Sequence, residues 1–122
     1  MEISSGILNE NKLREELSYI ITFFKKHSSK ANYMYGMACN VDMEEQWKDI
    51  PININDINKK VSELNDKGIF KYCDSDLYIS DGNDKFTFLL CHECDVYFES
   101  KDFELIKLVR KDWEQKNIRY MK

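Results

Sequence analysis

Residues Phe88 to Ser100 read FLLCHECDVYFES, an apolar run into which two cysteines, a histidine and three acids are set. Thiols, imidazole and carboxylates are the groups that bind zinc, exchange disulfides or move protons. Zinc needs its ligands to converge. On a straight strand, Cys91 and Cys94 are three apart and point to opposite faces, so they cannot share an ion. A turn at His92-Glu93 would bring the two sulfurs together. The sequence has no second Cys-x-x-Cys pair, however, and Asp95 stands where a zinc knuckle takes a glycine or small residue. Cys39, Cys73 and His27, the other available ligands, are single and scattered. The expectation is therefore no bound metal and no cofactor.

A dithiol redox centre places its first cysteine at a helix N-terminus, where the dipole favours thiolate. Cys91 instead follows Leu89-Leu90 and precedes strand-like Val96-Tyr97-Phe98. The segment reads as a β-turn or bulge with Cys91 and Cys94 packed inward and His92 and Glu93 facing out. An exposed polar turn on a rigid sheet edge is also a ready binding contact.

Acid–base catalysis is the other chemistry these residue types allow. Strand neighbours alternate faces, so His92 would need a partner from elsewhere in the chain. The sequence contains no G-x-S-x-G, no glycine-rich phosphate loop and no H-E-x-x-H. His27 falls at a helix end, where it is expected to meet the terminal carbonyls. The chain thus reads as a non-enzyme. The alternatives kept open are a metal-free hydrolase or other enzyme using His92, and a zinc-binding module using Cys91 and Cys94.

The elements that would position these groups follow from periodicity. Leu13, Leu17, Ile20, Ile21 and Phe24 form one apolar stripe, predicting a helix over residues 11–27. Tyr33, Tyr35, Met37 and Cys39 alternate along a predicted strand over 31–39, with Gly36 as a bulge. Ile50-Pro51-Ile52 reads as extended. A second helix is predicted over 56–67, N-capped by Asn55, with Ile57, Val61 and Leu64 inward and Gly68 as its left-handed terminator. From Ile69 the period becomes two, giving predicted strands over 69–73, 77–80, 86–91 and 96–99. The SDGND segment, Ser80 to Asp84, makes a hairpin turn. Ser100 is expected to cap a third helix over 101–116, with Phe103, Ile106, Val109 and Trp113 inward, and Ile118 to Met121 to close as an edge strand. This order predicts one α+β domain over residues 1–122, an antiparallel sheet with helices packed on it.

Composition narrows the function classes. The chain has 122 residues, 43% hydrophobic and 13% aromatic, enough for one core and too few for two. The uncharged apolar run Leu17 to Phe24 falls far short of the ~20 residues that span a bilayer. Met1 to Ile7 holds an acid at Glu2 and no signal-peptide features. These features predict a cytoplasmic protein without a membrane partner, whose four cysteines stay reduced. The net charge of -4 argues against direct nucleic-acid binding. Between Asp74 and Glu104 lie nine acids against two lysines. A surplus of that kind attracts basic partners. The candidate contacts are Asp74, Asp76, Asp81, Asp84, Glu93, Asp95 and Glu99. Trp47, set among Asp42, Glu44, Glu45, Gln46, Lys48 and Asp49, is their candidate hydrophobic anchor.

In size, acidity, element order and the character of segments such as WKDIPININDINKKVSELNDKGIFKYCDSDLYI, the chain resembles bacterial toxin-immunity proteins, including those paired with contact-dependent growth-inhibition toxins. The resemblance implies a cognate toxin domain, a basic nuclease for instance, neutralised in a tight complex with an acidic surface. It assigns no role to any individual residue.

Overall fold

The computed structural model of the chain describes residues 1–38 and 41–121. Strand β1 (Glu2–Ser5) leads to helix α1 (Glu10–His27), strand β2 (Ala31–Gly36), strand β3 (Ile50–Ile52) and helix α2 (Ile57–Asp66). Strands β4 (Asp76–Ser80), β5 (Phe86–Leu90) and β6 (Val96–Ser100), helix α3 (Phe103–Gln115) and strand β7 (Tyr120–Met121) complete it. Among the described residues the strands form one seven-stranded sheet, ordered β3-β2-β4-β5-β6-β1-β7, with every neighbouring pair antiparallel. The predicted α+β domain is observed.

Local chemistry explains the helices. Asn9 N-caps α1 by accepting from the Lys12 N–H at 2.9 Å, with Glu10 in the first turn and Lys25, Lys26 and His27 in the last, as the helix dipole favours. The stripe of Leu13, Leu17, Ile20 and Phe24 is buried as the spacing predicts. Phe23, beside it, points its ring edge-on at Phe86, Phe88 and Phe98, with centroids 5.0, 5.3 and 5.6 Å away. Burial of each such side chain stabilises the fold by roughly 1.5–3 kcal/mol, and the edge-to-face pairs add to it.

Several boundaries differ from the sequence reading. Residues 69–73 are not a strand. Gly68 takes φ 70°, and the N–H groups of Ile69 and Phe70 turn back to the Leu64 carbonyl at 2.9 and 3.2 Å. That backbone closes the end of α2 and cannot also pair in a sheet. Residues 2–5, given no element from sequence, are β1, inserted between β6 and β7. A 3-10 turn (Ile54–Asp56) precedes α2, and Asn53, not Asn55, supplies the capping side chain. Asp102 rather than Ser100 caps α3, accepting from the Glu104 N–H at 2.9 Å. The Ser100 hydroxyl instead accepts from the Asp102 N–H and donates to the Lys85 carbonyl, which ties α3 to the β4–β5 hairpin. Phe103 is exposed, and Leu105 joins Ile106, Val109 and Trp113 on the buried face. Gly36 is no bulge but the last residue of β2, lying under the Trp47 ring. Cys39, the predicted end of that strand, lies outside the described residues.

Strand alternation separates two sheet faces. Ile3, Leu77, Ile79, Phe86, Phe88, Leu90, Val96 and Phe98 point to the helix side and form the core. Their neighbours point away from it, onto a face that the three helices leave open. No helix among the described residues is long and apolar enough to cross a membrane.

Candidate functional site

The chemistry-bearing residues meet where β5 turns into β6. The Cys94 N–H donates to the Cys91 carbonyl at 3.0 Å, and the Cys91 N–H to the Asp95 carbonyl at 2.9 Å. Cys94 takes φ 70°. This is the three-residue hairpin loop, a type I turn closed by a left-handed residue. The chain therefore does turn at His92-Glu93, which leaves Cys91 buried, His92 partly open and Glu93 exposed.

The sulfurs do not pair within this loop. Cys94 is joined in a disulfide to Cys73, twenty-one residues earlier, and Cys91 is a buried free thiol. This corrects the expectation that these two cysteines stay reduced, and it removes the alternative of Cys91 with Cys94 as a zinc-ligand pair. The reason lies in the backbone. Residues 71–75 curl into turns instead of a strand, and both Cys73 and Cys94 occupy left-handed loop positions.

Asp76 supplies the partner that His92 lacked in sequence. Leu77 pairs with Leu90, so Asp76 faces the start of the loop. Its Oδ1 accepts from the His92 backbone N–H and lies 2.8 Å from His92 Nδ1. An ionised carboxylate only accepts, so Nδ1 carries the proton. The Asp76 hydrogen bond raises the His92 pKa above its ordinary value. Cys91 Sγ lies 3.7 Å from the same Nδ1 and accepts from the Glu93 N–H at 3.5 Å. Burial pushes the thiol up to about 12, so it stays protonated at neutral pH.

The arrangement is not a nucleophile–base–acid relay. A relay uses the two ring nitrogens separately, one toward the nucleophile and one toward the carboxylate. Here Asp76 and Cys91 both face Nδ1, while Nε2 looks toward Glu93 Oε1 at 3.7 Å. His27 is also remote from this chemistry, with its ring against Phe23 at 4.5 Å.

A second feature lies across the open sheet face. The strand register aligns Met34, Tyr78, Leu89 and Tyr97 in one transverse row, all partly exposed. The next row is polar: Asn32, Ser80, Thr87, Glu99 and Glu2. Trp47 flanks the apolar row. Its N–H donates to the Tyr35 carbonyl at 2.8 Å, and its ring covers Gly36 and meets Tyr78 edge-on at 6.3 Å. At 43% exposure it is both packed on the sheet and open to a visitor. Burial raises Tyr78, and it pushes Tyr97, with the neighbouring Asp95 carboxylate, up to about 12. Both phenols are therefore neutral hydrogen-bonding groups at neutral pH.

The acids chosen from sequence divide in two. Asp76, Asp81 and Asp95 are buried and are corrected from surface contacts to internal groups. Asp76 holds His92, Asp81 accepts from the Lys85 and Phe86 N–H groups in the β4–β5 hairpin, and Asp95 lies against the Cys91 thiol. Asp74, Asp84, Glu93 and Glu99 are exposed. Glu99 lies on the open face, Asp84 in the β4–β5 turn at one end, and Asp74 and Glu93 at the opposite end. Asp74, Asp84 and Glu99 form no ion pair among the described residues. Sequence reasoning missed Met34, Tyr78, Leu89 and Tyr97. The period of two in DLYIS, FTFLL and VYFES, once buried positions are assigned to the helix side, was the signal for three of them.

No family model matches the chain, and comparison with curated proteins and with solved structures finds no match.

Proposed function

We propose that the chain is a binding protein of the immunity or antitoxin kind, which neutralises a basic toxin domain through the open face of its sheet. The observation that supports this reading is the row of Met34, Tyr78, Leu89 and Tyr97, bordered by Trp47 and left uncovered by all three helices. Aromatic and methionine side chains on a rigid platform are the groups that anchor protein interfaces. Glu2 and Glu99 on the same face, with Asp84 and Glu93 at its ends, supply charge complementary to a cationic partner. A nuclease domain, whose substrate is a polyanion, presents such a surface. The sites of the interaction are therefore Trp47 and Glu99 with the apolar row, and Asp74, Asp84 and Glu93 steer from the rim. Action in the cytoplasm, without nucleic acid or membrane as a partner, belongs to the same proposal.

The experiment is binding and protection with the toxin domain encoded beside this gene. Tyr97→Ala is expected to slow growth rescue and raise Kd at least tenfold. Glu99→Lys is expected to lower the association rate, an effect that fades as salt is added. Unchanged affinity in both variants, or no complex with the adjacent toxin domain, overturns the reading.

A further inference from the structure

We infer that Asp76 Oδ1, Cys91 Sγ and His92 Nδ1 form a zinc-binding site with three protein ligands. The three atoms lie within 4.8 Å of one another. The separation of 3.7 Å between Cys91 Sγ and His92 Nδ1 is close to the ~3.5 Å edge of a tetrahedron with zinc–sulfur and zinc–nitrogen bonds of ordinary length. The 2.8 Å between His92 Nδ1 and Asp76 Oδ1 is a proton-bridged distance. Replacing that proton with an ion requires this edge to open by roughly half an ångström.

Asp95 provides the independent observation. It is 8% exposed and lies against the Cys91 thiol and the Tyr97 phenol, while one of its two oxygens, Oδ1, is buried without a hydrogen-bond partner. A buried carboxylate oxygen left unpartnered costs free energy unless something cationic satisfies it. Sulfur, nitrogen and a carboxylate make a mixed donor set suited to zinc rather than to magnesium or calcium, which take oxygen alone.

The surrounding groups suit the same role. The Glu93 N–H donates to Cys91 Sγ, and the His92 N–H to Asp76 Oδ1, so both anionic ligands are held by backbone donors. On binding, the thiol proton goes to solvent and the imidazole takes its Nε2–H tautomer, with that N–H directed at Glu93 Oε1, now 3.7 Å away. A ligating histidine commonly donates its second N–H to a carboxylate in this way. The exposed edge of His92 gives an ion its path in. Sequence reasoning paired Cys91 with Cys94; the fold instead gives Cys91 the distant Asp76. The ion would pin the β5–β6 loop to the start of β4.

The test is titration of the non-reduced protein, in which Cys73–Cys94 remains closed, with zinc by calorimetry and with cobalt(II) by absorption. One ion per chain is expected, with a thiolate-to-cobalt charge-transfer band in the near ultraviolet. Cys91→Ser should abolish the band, and His92→Ala should weaken zinc at least tenfold, both with unchanged circular dichroism. Absence of a stoichiometric ion, a band that survives Cys91→Ser, or binding that appears only after reduction of Cys73–Cys94 overturns the assignment. None of these readouts depends on the toxin, so this inference and the proposed function fail separately.

Discussion

Asp76 and His92, sixteen residues apart, are joined twice through one oxygen: Asp76 Oδ1 takes the His92 backbone N–H and faces its Nδ1, both at 2.8 Å. The first bond fixes the loop and the second orients the ring.

That relationship sets a pH dependence in the metal-free protein. Asp76, followed by Glu93 and Asp95, favours the imidazolium against the opposing effect of burial, so His92 titrates above 6.5. A histidine raised on folding stabilises the native state fully below its unfolded pKa, and the contribution is lost as pH rises through the folded value. Proton NMR in the presence of chelator should find the His92 midpoint above 6.5, with Asp76→Asn moving it down. A midpoint that Asp76→Asn leaves in place contradicts the contact.

Gly36 is expected to tolerate no side chain. A Cβ there would fall 2.1 Å from the Trp47 ring, so Gly36→Ala must displace the indole from its place beside Tyr78. The expected cost is about 1–3 kcal/mol. A shift in tryptophan fluorescence should accompany it, and an unchanged spectrum would place Trp47 elsewhere.

The Cys73–Cys94 link closes a loop of 21 residues in sequence. Restricting an unfolded chain over that length stabilises the fold by about 3 kcal/mol. Urea unfolding with and without reductant, or of Cys73→Ser, should show a loss of that size. Thiol alkylation of protein quenched directly from cells reports whether the link is closed there, since cytosolic pools keep most thiols reduced.

Glu16 gives a second pH dependence of the same sign. Its side chain is buried on α1, where Trp113 Nε1 donates to it at 3.4 Å and Lys116 Nζ at 3.1 Å. Burial outweighs Lys116 and raises its pKa above 4.5. A carboxyl raised on folding holds more protons in the native state, so its contribution to stability falls as pH climbs from 4.5 through the folded value. Denaturant midpoints of wild type and Glu16→Gln, compared across that interval, should diverge with the wild type losing ground. Glu16→Ala leaves the buried Trp113 N–H without its acceptor, while Lys116 keeps Asp112 at 2.6 Å, and should cost about 1–3 kcal/mol.

Much of the architecture was legible locally. The stripe from Leu13 to Phe24, the inward set Ile57, Val61 and Leu64, the left-handed Gly68 and the hairpin at Asp81-Gly82 are each written within a few residues, because helix and strand periods and turn conformations are short-range properties. Phe103 and residues 69–73 were misread for a matching reason. Near an element's end the same pattern fits two boundaries, and long-range hydrogen bonds choose between them.

By itself, then, the sequence determined an α+β domain with an acidic surplus and named the loop in which thiol, imidazole and carboxylate gather. Only the tertiary structure decided that Asp76 meets His92, that Cys94 is taken by Cys73, that Asp81 and Asp95 are internal, and that Tyr78, Leu89 and Tyr97 share one open row. These are consequences of strand register and of loops closing over long stretches of chain. A one-residue change in register would send the strand side chains among them to the other face, and which distant segments pair is not written in either segment alone.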